Sequence, residues 1–249
     1  TAELCDTVEP QDGYKSSVDL EQIQAGAKTG SRPTGYNVSF IYPEQGLNSL
    51  ISKFSERCNV QYSKEVTNIN IIDKTVLFND GTYERYKKLI TTLPLNVMQN
   101  ITGLKTKLTQ DPYTSVLVVN IGGRKGKRIS EDHWIYFPQT KSHFHRIGFY
   151  SNVDAHFLPL SKRNGDYISL YIERTFRGGE LLTQEQINET VNAMVDEIQQ
   201  MGFIGEVDVC DPTWIDVAYT WSNPNSTWRE EMFTLLEQND IVPVGRYAR

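Results

Sequence analysis

The stretch YTSVLVVNIGGRKGKRISEDHWIYFPQTKSHFHRIGFYS, residues 113–151, contains three runs rich in β-branched and aromatic residues, broken by polar loops. Such runs are strands, and together with DYISLYIERTF at 166–176 they predict a sizeable, largely antiparallel sheet. The Gly-rich basic segment GGRKGKR, residues 122–128, lies between two of these runs and is expected to be a solvated hairpin tip.

Working outward, the segment before the sheet is a mixture. EQGLNSLISKFSERC places Leu47, Leu50, Ile51 and Phe54 at helical spacing. In the following NVQYSKEVTNINIIDKTVLFNDGTYERYKKLITTLP, apolar runs are punctuated by DK and NDG, the turn chemistry of a β-meander. Asp73 and Asp80 are therefore turn formers first. Pro94 opens a short helix, PLNVMQNI. After the sheet, Ile187, Val191, Met194, Ile198 and Met201 form one stripe over 184–201, with Thr183 and Gln186 as a capping box and Gly202 beyond the last turn. PTWIDVAYTW is a further strand, STWREEMFTLLEQND a further helix, and IVPVGRYAR a last strand entering a Gly turn. Strands with interspersed helices and no regular β-α alternation indicate an α+β fold, a mostly antiparallel mixed sheet with flanking helices. We divide it into a poorly ordered or helical lead-in (1–35), a helix with a β-meander (36–111), and an antiparallel sheet with helices (112–249).

A chain of 249 residues, 39% hydrophobic and 22% charged, can bury a large core. Its net charge of −6 argues against a general affinity for nucleic acid or anionic membranes. Cys5, Cys58 and Cys210 are odd in number and widely separated, which indicates neither a disulfide framework nor a zinc site and fits a reducing, cytoplasmic compartment. No apolar run approaches the roughly 20 residues that span a bilayer.

The chemistry concentrates in HWIYFPQTKSHFHRIGFYSNV, residues 133–153. If 133–138 and 145–151 are neighbouring strands, alternation puts Trp134 and Tyr136 on one face, and Arg146, Gly148 and Tyr150 on one face of the partner. A guanidinium fixed among phenols suits a diphosphate, because its planar fork makes paired charge-assisted hydrogen bonds. The other reading is a covered sheet with Arg146 reaching outward to water, and spacing leaves the two even. His143 and His145 could share a strand face as metal ligands but have no third partner at matching spacing, so no metal is expected. The sequence has no G-x-G-x-x-G, Walker loop, G-x-S-x-G or H-E-x-x-H.

The order F-x-Y-P-x-x-G (Phe40 to Gly46), EVTNINIIDKTVLFNDGTYERYKKLITTLP, WIYFP…FHRIGFYSN, DVAY and GRY resembles the flavin-dependent UDP-galactopyranose mutases of the eukaryotic type. Less specifically, it resembles the wider flavin amine oxidase and protoporphyrinogen oxidase superfamily. The resemblance spans about 33–248. It implies the substrate-side domain of a two-domain FAD protein whose Rossmann-type half is not in this chain, and an FAD-dependent ring contraction of a UDP-sugar such as UDP-galactose. It further implies that Arg146 and Tyr136 grip the diphosphate and that Trp134 lines the same site. Asn37, Tyr219 and Arg246 fall at substrate positions of the family, Val66 where an adenine packs, and Gly245 in the turn beside the flavin. Val153 stands where the family has a tyrosine. The chain alone is expected to be inactive, without bound FAD, and able to self-associate. Two other readings are the substrate domain of an amine oxidase or protoporphyrinogen oxidase-like enzyme, with an arginine-poor pocket, and a non-catalytic nucleotide-sugar-binding module.

Overall fold

The structure, a computed structural model, describes residues 42, 43 and 45–248. The expectations for the lead-in at 1–35 and for Asn37 fall outside these residues. The chain divides into two units, Thr1–Asn59 and Val60–Arg249.

In the first unit the described element is α1 (Leu47–Ser55), entered through Gly46 at φ 79°. Its predicted apolar residues Leu47, Leu50, Ile51 and Phe54 are all exposed.

The second unit has two cores. In one, β1 (Val66–Asn70), β2 (Thr75–Phe78) and β3 (Tyr83–Arg85) form the expected antiparallel meander. Ile69 and Val76 face inward from it and pack with Leu95 and Met98 of α2 (Leu95–Thr102). Trp228, Met232 and Leu236 of α5 (Trp228–Glu237) complete this cluster. Beside it β4 (Leu89–Thr91) and β10 (Ile241–Pro243) pair in parallel. That pairing departs from the antiparallel pattern expected of the sheet, and it joins segments about 150 positions apart in the chain.

The main sheet has the order β6-β7-β8-β5-β9, all antiparallel. Its strands are β5 (Tyr113–Lys125), β6 (Trp134–Tyr136), β7 (Phe144–Phe149), β8 (Tyr167–Arg177) and β9 (Ile204–Thr220). One face carries Val119, Ile147 and Ile172, each fully buried, under Val191, Met194 and Ile198 of α4 (Gln184–Met201). Burying each such aliphatic side chain is worth roughly 1.5–3 kcal/mol, which makes this face the main source of stability. The capping box of α4 is formed as its sequence predicts, with Thr183 accepting from Gln186 N and Gly202 in the left-handed region at its end. Glu197 of the same helix accepts from Lys141 N, Ser142 N and Ser142 Oγ at 2.6–2.8 Å, tying α4 to the β6–β7 turn.

Two expectations are corrected. GGRKGKR is not a hairpin tip: β5 lies between β8 and β9, so the segment runs from the end of an inner strand towards an edge strand. Two of its glycines answer to close packing, since a Cβ on Gly123 would lie 2.3 Å from Glu206 O and one on Gly126 2.1 Å from Gly202 O. The strand expected over 145–151 ends at Phe149, and α3 (Tyr150–Val153) follows. There the Tyr150 ring turns back onto the sheet, 4.8 Å from Tyr171 and 5.1 Å from Phe157.

Candidate functional site

Register builds the site on the face of the main sheet opposite α4. Tyr136 pairs with Arg146, Arg146 with Glu173, and Glu173 with Val118, making one row across four strands. Trp134, Gly148, Tyr171 and Asn120 make the adjacent row. The alternation expected of 133–138 and 145–149 is thus present, with Trp134, Tyr136, Arg146 and Gly148 on one face.

Arg146 is the centre. Its Nη2 donates to Glu173 Oε1 at 2.5 Å and its Nη1 to the Tyr136 hydroxyl at 3.2 Å. The guanidinium carbon lies 5.7 Å from the Tyr136 ring and 5.6 Å from that of Tyr171, within reach of both π faces. Burial works against its charge, but the hydrogen bond and charge of Glu173 outweigh that, so its pKa is raised and it stays a cation. Arg146 Nε and Glu173 Oε2 are buried without a hydrogen-bond partner. Tyr136 is 59% exposed and Trp134 37%, so the row opens to solvent at its β6 end.

Gly148 makes the cluster possible. A Cβ there would lie 2.1 Å from Cε1 and Cζ of Tyr171, so only glycine lets that ring cross β7 beside the guanidinium. Tyr150 donates from its hydroxyl to Asn120 Oδ1 at 3.1 Å. Burial, with Glu173 close by, raises the pKa of Tyr150. Tyr171 is raised too, chiefly by burial and against the charge of Arg146. Both phenols stay neutral at physiological pH and can donate a hydrogen bond but not accept a proton.

The other predicted residues fall elsewhere. Arg246 lies over Tyr219, 4.9 Å from its ring. Tyr219 pairs with Thr114 on β5, and Arg146 lies two strands beyond β5 on the row of Val118. Strand spacing of about 4.8 Å and a rise of about 3.4 Å per residue put the backbones of Tyr219 and Arg146 roughly 20 Å apart, so the two arginine–tyrosine pairs are separate clusters on the sheet. Val66 is half-buried and packs on the core under the meander, and Gly245 sits at φ 84° with Thr92 Cγ2 as the nearest neighbour of an added Cβ. Neither brings a polar group, so these two positions do not build an FAD site by themselves. His143 lies in the β6–β7 turn at φ 62°. His145 Nε2 lies 3.6 Å from Glu173 Oε2, and burial, with Arg146 beside it, pushes its pKa down against the pull of Glu173. Among the described residues, no group of three or more His, Cys, Asp and Glu could hold a metal ion. Among them too, no helix is long and apolar enough to cross a membrane.

Sequence reasoning missed Glu173, Tyr171 and Asn120. The alternation of DYISLYIERTF put Tyr171 and Glu173 on one face, but only the pairing of β7 with β8 shows that it is the face of Arg146.

No family model matches the sequence. Among solved structures, reduced UDP-galactopyranose mutase is similar with a TM-score of 0.70 at 20% identity, over 97% of this chain and 56% of that one. A putative protoporphyrinogen oxidase from Exiguobacterium sp. 255-15 is similar with 0.61 at 15% identity, over 91% and 53%. A CLA-producing fatty acid isomerase from P. acnes reaches 0.52 at 14% identity, over 92% and 51%. The likeness is one of fold, an α+β arrangement with antiparallel sheets, and this chain spans about half the length of the structures it matches.

Proposed function

We propose that this chain is the substrate-side portion of a flavoprotein similar to the eukaryotic-type UDP-galactopyranose mutases, and that it binds the diphosphate of a nucleotide sugar at Arg146. Residues 112–249 hold the substrate and 36–111 border an FAD-binding part that these residues do not themselves supply. A flavin held by that part would supply the covalent chemistry, and this chain would position the diphosphate.

The observation that carries this reading is a half-buried cation fixed by a carboxylate at one end and reaching an exposed phenol at the other. Glu173 fixes Nη2 of Arg146, which sets the plane of the fork, while Nη1 faces the exposed Tyr136. Because Nη1 donates to the Tyr136 oxygen, the phenolic proton remains available to an acceptor. An anion at the β6 edge therefore meets a charged donor and a neutral donor side by side. An amine oxidase or protoporphyrinogen oxidase-like site would call for an apolar, arginine-poor pocket, and Arg146 speaks against it.

Calorimetric titration of UDP, UDP-galactose and uridine into this chain tests the proposal. A charge-assisted hydrogen bond of about 1.5–3 kcal/mol predicts UDP and UDP-galactose binding roughly ten- to a hundredfold tighter than uridine. Equal affinities, or no binding of either diphosphate, would overturn it.

A further inference from the structure

A second polar site lies away from Arg146, where α2, the start of β5 and the start of α5 meet. Asn96 Oδ1, Asp111 Oδ2 and Trp228 Nε1 are each buried without a hydrogen-bond partner. Their residues are 8%, 7% and 4% exposed. All three line one cavity of about 20 Å3 that is open to solvent on one side. Buried polar groups are nearly always paired, so three orphans around one cavity mark a place built to receive something. The inner space admits one small group, and whatever carries that group would lie at the open side of the cavity.

The donor and acceptor pattern narrows the class. Two orphans accept and one, the indole N–H, donates. The other Asp111 oxygen already accepts from Asn223 N at 3.4 Å, which fixes the carboxylate. Arg229 also lines the cavity, so its formal charges sum to zero. Tyr113 and Trp221 form aromatic walls. A carboxylate would bring no proton to either acceptor, Asn96 Oδ1 or Asp111 Oδ2. An ammonium would leave the Trp228 N–H unanswered. A primary carboxamide supplies two N–H donors and one carbonyl acceptor on a neutral, planar frame.

We infer that this pocket binds a small molecule bearing a neutral primary carboxamide on a planar ring, the amide in the cavity among Asn96, Asp111 and Trp228 and the ring against Tyr113 and Trp221. The inference is independent of the diphosphate reading, because none of its residues touches Arg146.

The test is nitrogen–proton correlation NMR of the full chain, whose four tryptophans give separable indole signals, with Trp228 assigned through Trp228→Phe. Benzamide is the probe, with benzoate and benzylamine beside it. The expected result is a saturable shift of the Trp228 indole signal by benzamide at a Kd of about 1–10 mM, with both charged probes at least roughly tenfold weaker. Asn96→Leu, if its spectrum stays dispersed, should weaken benzamide by a similar factor. The wild-type series decides by itself. No saturable shift by about 50 mM benzamide, or an equal response to all three probes, would mean that the cavity holds only water and would overturn the inference.

Discussion

Glu173 shares the guanidinium with any ligand of Arg146, so Glu173→Gln gives a prediction whose sign the geometry fixes. An oxygen bound at Nη1 would lie about 6–7 Å from the Glu173 carboxylate, which holds Nη2. Like charges at that distance repel by about 2.5 kcal/mol at an effective dielectric of 20. The β6 end of the site is open, with Tyr136 59% exposed, so screening reduces this to about 1–2 kcal/mol. Gln keeps an oxygen to accept from Nη2 and removes the charge. UDP should therefore bind Glu173→Gln roughly five- to thirtyfold tighter than wild type. Exchanging a charge-assisted hydrogen bond for a neutral one should cost about 1–2 kcal/mol of stability. Calorimetry gives the affinities and urea unfolding the stability. If the variant folds, loses stability as stated, and binds UDP no better than wild type, then no anion sits on Arg146 beside Glu173.

Two further outcomes follow from the frame around the site. Gly148→Ala forces a methyl into the Tyr171 ring, already boxed by Tyr150 and Arg146, and should destabilise by about 1–3 kcal/mol, whereas Gly122→Ala, whose nearest contact is 3.9 Å away, should cost much less; urea unfolding compares them. Glu197 should make stability depend on acid. Burial opposes its charge, but the bonds from Ser142 and Lys141 outweigh this and hold its folded-state pKa below the ordinary glutamate value. Its contribution is therefore complete above the unfolded pKa and fades as pH falls through the lower folded value. The stability gap between wild type and Glu197→Gln, measured by urea unfolding, should be constant from pH 7 to about 5 and close below about 4.5. A gap that widens in acid would contradict the assignment.

Local signals in the sequence were legible where they were self-contained. The capping box at Thr183 and Gln186, the stripe of Val191, Met194 and Ile198, and the turns of the meander each use contacts within a few residues, and each is present. The pairing of Tyr136 with Arg146 was also readable, because a short connection joins their strands. What escaped were long-range pairings. The neighbours of β5 are β8 and β9, and β4 pairs with β10, so neither follows from adjacency in the chain. Glu173 was missed for that reason: its alternation was visible, but not its partner across β7 and β8. The early end of β7 at Phe149 came from Tyr150 packing on Tyr171 and Phe157, a tertiary preference that overrides the local strand pattern.

The central claim is that Arg146 grips a diphosphate, and the affinity of UDP for Arg146→Ala tests it most directly. Removing a charged contact to the diphosphate should cost about 2 kcal/mol or more, so the Kd should rise roughly thirtyfold beside wild type. The same Kd in the two proteins, with the variant folded, would contradict the claim.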